Sequence, residues 1–328
     1  MKATSYLVLG MVVSLLPPVA AQHFVPVTPT APGYFTPDAK PVLTVKPGEV
    51  VTMDTIVGNL QTLEKLSAPE DAPLREMREI YAKTGRGAGL TGPVAIEGAM
   101  PGDVLEVEFL DIRLRSPYGW MAVVPGSEAL PGEFTERRFK LVPVDLKKNM
   151  AEFAPGIRIP VRPFFGTFGV AVASGPVKTG RPGAHAGNLD NKWLVAGTKA
   201  FIPVQVPGAL FSAGDGHAAQ GDGEVCVTAI EAHLIGVFRF TVHKNKKLRW
   251  PRAETPTHII TMGLDEDLDE AARIATREMI DYLVTERGLS RDDAYMLTSA
   301  AADLHVTQIV DGVKGVHAML PKSIFAAR

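Results

Sequence analysis

The chain has 328 residues, of which 46% are apolar and 21% charged, with a formal net charge of −2 and a single cysteine. That composition is globular, with enough length for one large domain or two modest ones. The near-zero charge and scattered Lys and Arg exclude a nucleic-acid-binding surface of the usual basic kind, and one cysteine excludes internal disulfides.

In chain order, residues 1–21 carry Lys2, an apolar run from Tyr6 to Leu16, a Pro17-Pro18 break and the small residues Val19-Ala20-Ala21. This is the layout of a cleaved secretory signal peptide, and its apolar run falls well short of the roughly 20 residues that span a bilayer. The mature protein is therefore expected in the periplasm or outside the cell, with no membrane segment. Residues 22–41 include PVTPTAPGYFTPDAKP, too rich in Pro for regular structure, and are expected as an extended N-terminal arm before one domain over 42–328.

Strands are expected at 42–45, 50–53, 93–96 and 104–110, β-branched runs separated by turns such as Lys46-Pro47-Gly48-Glu49. The polar stretch 60–83 reads as an inserted loop with one short helix. Further strands are expected at 120–124, 139–144, 157–161, 168–173, 199–206 and 224–243. Short strands with frequent turn signals indicate a β-rich α+β fold, with a sandwich or barrel-like β core. C-terminal helices would pack against it. In 267–287, Leu268, Ala271, Ala275, Met279 and Leu283 recur at three- and four-residue steps, acids fill the first turn and Gly288 stops the helix. Ser290, with Asp293 three residues on, caps a second helix expected over 294–306, apolar enough to be buried.

Two segments carry the chemistry. The first is GALFSAGDGHAAQGDGEVCVTAIE, residues 208–231, which packs Asp215, His217, Gln220, Asp222 and Glu224 between Gly and Ala spacers. Gly is selected where a chain bends sharply or something approaches its backbone. In an extended stretch, residues two apart share a side, which pairs Asp215 with His217 and Asp222 with Glu224. Structural Asp-Gly turns are the other use of such a pattern. The second segment is GAHAGNLDNK, residues 183–192, with His185, Asn188, Asp190 and Lys192. Carboxylates mixed with imidazole suit a divalent ion such as zinc; calcium is possible but fits less well, since His is an unusual calcium ligand.

Glu224 is the general-base candidate, with a structural ion pair as its alternative. Lys192 could polarise a substrate or neutralise carboxylates. Cys226 reads as a buried small hydrophobe in an apolar strand rather than a nucleophile. His233 and His243 read as half-exposed sheet residues, His258 as lining a cleft, and His305 and His317 as core histidines. No phosphate loop, GxGxxG or GxSxG motif is present, which disfavours nucleotide cofactors.

At these residues the chain resembles the acetamidase/formamidase family. The matching words are Gly187-Asn188-Leu189-Asp190 with Leu194 and Ala196-Gly197, nearly all of 206–231, Glu254-Thr255-Pro256-Thr257-His258, Thr261 to Leu268, and Asp311 to Ala318. The resemblance implies hydrolysis of small aliphatic amides such as acetamide or formamide, a β-rich homo-oligomer, and a divalent metal, often zinc. It carries over His185, Asn188, Asp190, Asp215, His217 and Glu224 as site candidates. We assign His185, Asp190, Asp215 and His217 as metal ligands, and Glu224, Lys192 and Asn188 as catalytic. One departure bears on ligands and substrate: Pro32-Gly33-Tyr34-Phe35-Thr36-Pro37-Asp38 stands where the family usually has a His-rich, Trp-containing segment. An exported binding protein without turnover, or an amidase shifted to another amide or lactam, are the alternatives.

Overall fold

The computed structural model describes residues 22–28, 33–58, 60–85 and 89–326. The expected signal peptide, 1–21, lies outside them, as do 29–32 of the arm. Among the described residues no helix is long and apolar enough to cross a membrane.

Two open sheets form the body. The first has nine strands, running from Gln22–Val25 through Val50–Asp54, Leu234–His243, Val104–Leu114, Lys199–Pro203, Arg252–Glu254, His258–Asp265 and Lys314–Pro321 to Asp303–Gln308. The second runs from Ile157–Pro160 through Met150–Ala154, Arg138–Asp145, Tyr118–Val123, Ile230–Glu231, Phe211–Ala219 and Phe164–Gly169 to Ala186–Asn188, with Thr91–Ile96 and Leu43–Val45 branching from Phe211–Ala219. Neither closes on itself, so the core is a sandwich rather than a barrel.

Alternation supplies the inner faces. Leu234–His243 buries alternate positions, so Phe238 and Phe240 point inward. They meet rings from the other sheet: Phe211 lies 5.4 Å from Phe238 and 5.1 Å from Phe240, and Phe165 lies 5.4 Å from Phe238. Each fully buried Phe stabilises the fold by about 1.5–3 kcal/mol, so this aromatic seam fixes the facing of the sheets.

Two short pieces of the 22–41 stretch are extended and paired. Gln22–Val25 lies parallel to Val50–Asp54, and Tyr34–Phe35 antiparallel to Val177–Lys178. The insertion holds two helices, Leu60–Lys65 and Ala72–Thr84, where one was expected. Asp71 caps the second by accepting from the Leu74 N–H at 2.9 Å, and Pro73 sits in its first turn, where a missing N–H costs nothing.

Helix Leu268–Arg287 begins at Asp267, which accepts from the Glu270 N–H at 2.9 Å, and ends at Gly288 with φ 71°. It lies directly on His258–Asp265. A Cβ at Gly263 would collide with the Ala271 carbonyl, so only glycine permits that approach. The next helix, Arg291–Ala301, is shorter than expected. Residues 303–308 turn instead into an edge strand on Lys314–Pro321, as the β-branched Val306-Thr307 pair favours. Nor is this helix buried: Ala294 and Thr298 face inward, while Tyr295 and Met296 are each 61% exposed.

Strand boundaries differ too, two of them near the site. The strand expected at 168–173 lies at Phe164–Gly169, and the one expected at 224–243 begins only at Ile230. Glu224 and Val227 sit before it at φ 44° and 69°, a backbone that cannot pleat.

Candidate active site

Strand Phe211–Ala219 carries the centre of the site between Phe164–Gly169 and Ile230–Glu231. Pairing of Phe165 with Gly216 and of Thr167 with Gly214 leaves Gly166 opposite Asp215. Asp215 has φ 52°, which breaks the pleat there. The Gly166 carbonyl instead accepts from the Leu189 and Asp190 N–H groups at 3.0 and 3.1 Å, drawing the 183–192 segment onto the same spot. Asp190 and Glu224 also take left-handed backbones, φ 49° and 44°. Such residues cost about 1–3 kcal/mol each and persist only where surrounding structure enforces them.

His217 is the hub. Its ring nitrogens and nearby carboxylate oxygens form two groups whose ligand atoms lie within 4.8 Å of one another: Asp190, His217 and Glu224, and Asp215, His217 and Glu231. Gln220 fixes the ring. Its Nε2 donates to the Asp190 carbonyl at 2.7 Å, so its Oε1, 3.0 Å from His217 Nδ1, must accept. Nδ1 therefore carries a hydrogen, and Nε2 is the variable nitrogen, 3.3 Å from Glu231 Oε1 and 3.7 Å from Asp215 Oδ1. The Phe164 ring meets the imidazole edge-on at 5.0 Å.

Asn188 spends its amide holding acids. Nδ2 donates to Asp190 Oδ2 at 2.5 Å and to Asp311 Oδ2 at 2.9 Å, and its Oδ1 accepts from Thr167. The Thr167 hydroxyl also faces Asp215 Oδ2 at 3.1 Å; it has one hydrogen to share between them. Asp190 Oδ1 is buried with no hydrogen-bond partner.

Charge is out of balance here. Asp190, Asp215, Glu224, Glu231 and Asp311 surround a single imidazole; Asp190, Glu224 and Glu231 are buried, while Asp215 and Asp311 are half-buried. Burial, reinforced by the charges of Glu224 and Asp311, drives the Asp190 carboxyl well above its ordinary range. Burial also pushes Glu224 up to about 8, Asp311 up to about 6, and Glu231 upward. Burial opposes a charged His217, but the Glu231 and Asp215 carboxylates outweigh it and raise the imidazole well above its usual value. Asp215 is pushed up by burial yet ends below its ordinary value through His217 and Thr167. A cluster of this sign must bind protons or a cation. The donors, hard oxygens with one imidazole and an orphaned carboxylate oxygen, fit a divalent ion.

Of the residues singled out from sequence, Asp190, Asp215, His217 and Glu224 come together, with Asn188 beside them. His185 is not part of either ligand group: its ring sits edge-on at 5.0 Å from Phe35, and burial lowers its pKa to about 4. Lys192 pairs with Asp222 at 3.0 Å, and Asp222 also meets His305 at 3.2 Å; Asp222 and Glu224 line one cavity, but Asp222 stands outside both ligand groups. Cys226 is half-buried in a turn, its Sγ 3.3 Å from the Thr228 carbonyl, not in a strand. His233 is buried rather than half-exposed, with Nδ1 accepting from the Val57 N–H at 3.1 Å. His317 is a core residue held by Thr307 at 2.7 Å, whereas His305 is half-buried at the surface ion pair.

Sequence reasoning missed Glu231, Asp311, Thr167 and Gly166 as site residues. Glu231 lay in a stretch taken as one strand, and Asp311 in a stretch, Asp311 to Ala318, that carried the family resemblance without a role. Gly166 gave the one usable signal, a glycine inside Phe164-Phe165-Gly166-Thr167-Phe168. A Cβ there would lie 2.5 Å from Asp190 Oδ1 and 2.6 Å from His217 Cε1.

Two cavities reach the cluster. One of about 370 Å³ is walled by Glu224 and Gln220, and one of about 740 Å³ by Asp311, Arg181 and Tyr34.

The profile of the Acetamidase/Formamidase family matches residues 30–176 and 171–327. The formamidase of Methylophilus methylotrophus is 25% identical over 355 residues, covering 84% of each chain. A putative formamidase of Schizosaccharomyces pombe is 29% identical over 192 residues, and that match spans about half of the relative, 47% of its length and 42% of this chain. Among solved structures, an acetamidase of Bacillus halodurans superposes with a TM-score of 0.80 at 32% identity, covering 92% of this chain and 98% of that one.

Proposed function

The chain belongs to the Acetamidase/Formamidase family, a family of amidases, and from that premise we propose that it hydrolyses the C–N bond of linear aliphatic amides at the cluster around His217, with a divalent cation, zinc by its donor set, held there. The observation that carries this is the excess of carboxylates around one imidazole, with Asp190 Oδ1 buried without a hydrogen bond and 3.8 Å from His217 Nδ1.

Asp215, His217 through Nε2, and Glu231 would hold the ion, which leaves Glu224 free of it. When bound, it supplies a Lewis acid for the amide carbonyl and makes water a better nucleophile. The chain's own residues do the rest. Gln220 keeps a hydrogen on His217 Nδ1 and so aims Nε2 inward. Asn188 holds the Asp190 and Asp311 carboxyls in place, as outer hydrogen bonds do for ligands. Glu224, balanced near neutral pH and walling a cavity, can take a proton from water and return it to the departing nitrogen. Phe164 and the sandwich core exclude water from the inner side. Export through residues 1–21 and assembly as a homo-oligomer belong to the same proposal.

Elemental analysis of freshly purified protein, with ammonia release from acetamide, formamide and propionamide before and after chelation, tests it. The expected result is stoichiometric metal and chelator-sensitive ammonia. Metal-free protein with no release from any amide overturns it, and tight amide binding without release would mark a binding protein.

A further inference from the structure

The cavity on the Glu224 side is too large and too apolar for the smallest amides. Its volume is about 370 Å³, within the roughly 300–1,000 Å³ of small-molecule sites, whereas acetamide would place only a methyl group there. Beyond Glu224 and Gln220, its walls include Met121, Phe153, Ile159, Val225, Cys226 and Ile230, and the hydroxyl of Thr228, also in the wall, is spent on the Ala122 backbone. Asp222, at its rim, is already engaged by Lys192 and His305. The rest of the wall is apolar and suits an uncharged, apolar group. Val225 is 61% exposed, so apolar surface stands in water beside the carboxyl assigned to proton transfer, and covering it releases that water favourably.

We propose that this cavity is the acyl subsite of the enzyme, which takes primary amides of apolar acids with about four to eight carbons in preference to acetamide or formamide. The proposal rests on the amidase function above and specifies its substrate. The chemistry is R–CO–NH2 + H2O giving R–COOH + NH3: the C–N bond breaks, a C–O bond forms, and a water proton passes through Glu224 to nitrogen. The carbonyl sits at the cluster, and R extends between Phe153, Ile159 and Ile230.

Two measurements test it. In the first, kcat/KM for ammonia release is followed through acetamide, butyramide and hexanamide, with an expected rise of about fourfold per methylene buried. The Ile159→Trp variant, which fills the cavity from a partly exposed hairpin position, should collapse the hexanamide-to-acetamide ratio towards one. In the second, Cys226, the single cysteine of the chain, reports occupancy directly in the unmodified protein. Hexanamide should slow its reaction with a disulfide reagent, and acetamide at equal concentration should not. Turnover of acetamide with a flat or falling series and an unprotected thiol overturns the subsite and leaves the amidase function standing. If no amide is hydrolysed, the function fails, and protection of Cys226 by hexanamide alone decides the subsite. A thiol already blocked in the free protein, through a second copy seated in the cavity, overturns it.

Discussion

Gly166→Ala is the sharpest perturbation of the site. The added Cβ would stand 2.5 Å from Asp190 Oδ1, 2.6 Å from His217 Cε1 and 3.0 Å from Asp215 Oδ2. Comfortable contacts between heavy atoms lie near 3.5–4.0 Å, so the overlap is about 1 Å. Relief is blocked on both sides. Asp190 and His217 are each 1% exposed, and the Gly166 carbonyl is pinned by the Leu189 and Asp190 N–H groups. If the side chains give way, a displacement of about 1 Å costs on the order of a hundredfold in turnover. If the backbone gives way, overpacking destabilises by about 1–3 kcal/mol. The assay is ammonia release with bound-metal content and Tm on the same preparation. Gly180→Ala is the control, since its Cβ would meet nothing within 4 Å. Gly166→Ala protein with unchanged metal content and turnover would refute the assignment of Asp190, His217 and Asp215 to one site.

Glu224→Gln removes the carboxyl that exchanges protons, so turnover should drop by about 10²–10⁴; a variant with full kcat eliminates Glu224 from that role. Gln220→Ala leaves His217 Nδ1 and the Asp190 carbonyl without their partner; metal affinity or activity should fall about 10–100-fold, and unchanged values mean that the ring is oriented some other way. His317 is held neutral by burial, its pKa lowered to about 3 from 6.5. The unfolded chain binds that proton first, so the stability it supports is complete above pH 6.5 and is lost as pH falls towards 3, amounting to about 2 kcal/mol by pH 5. Denaturant midpoints of the wild type and of His317→Gln at pH 8 and pH 5 should show a shallower acid loss in the variant; parallel losses reject this. Asp267→Ala removes the cap on Glu270 and should cost about 1 kcal/mol, read as a small fall in Tm with activity retained.

Local physics was legible in the residues themselves. Asp267, Gly288 and Ser290 mark helix ends because a cap needs only its own neighbours, and the β-branched runs between Gly-Pro turns disclose a β-rich core, sandwich or barrel-like, because pleating is a two-residue property. The chemical character of 208–231 was legible too, since glycine spacers around acids and an imidazole have few other uses. What the order of residues could not say is which acids meet. Asn188 reaches Asp311 across 123 positions and Thr167 reaches Asp215 across 48, and left-handed backbones at Asp190, Asp215 and Glu224 uncouple side-chain direction from the alternation of a strand. Those turns are tolerated only because packed neighbours hold them. Pairing of Ile230–Glu231 on Phe211–Ala219, with Glu231 opposite His217, therefore decided that Glu231 belongs to the cluster, while Asp222 and His185 stand outside its ligand groups.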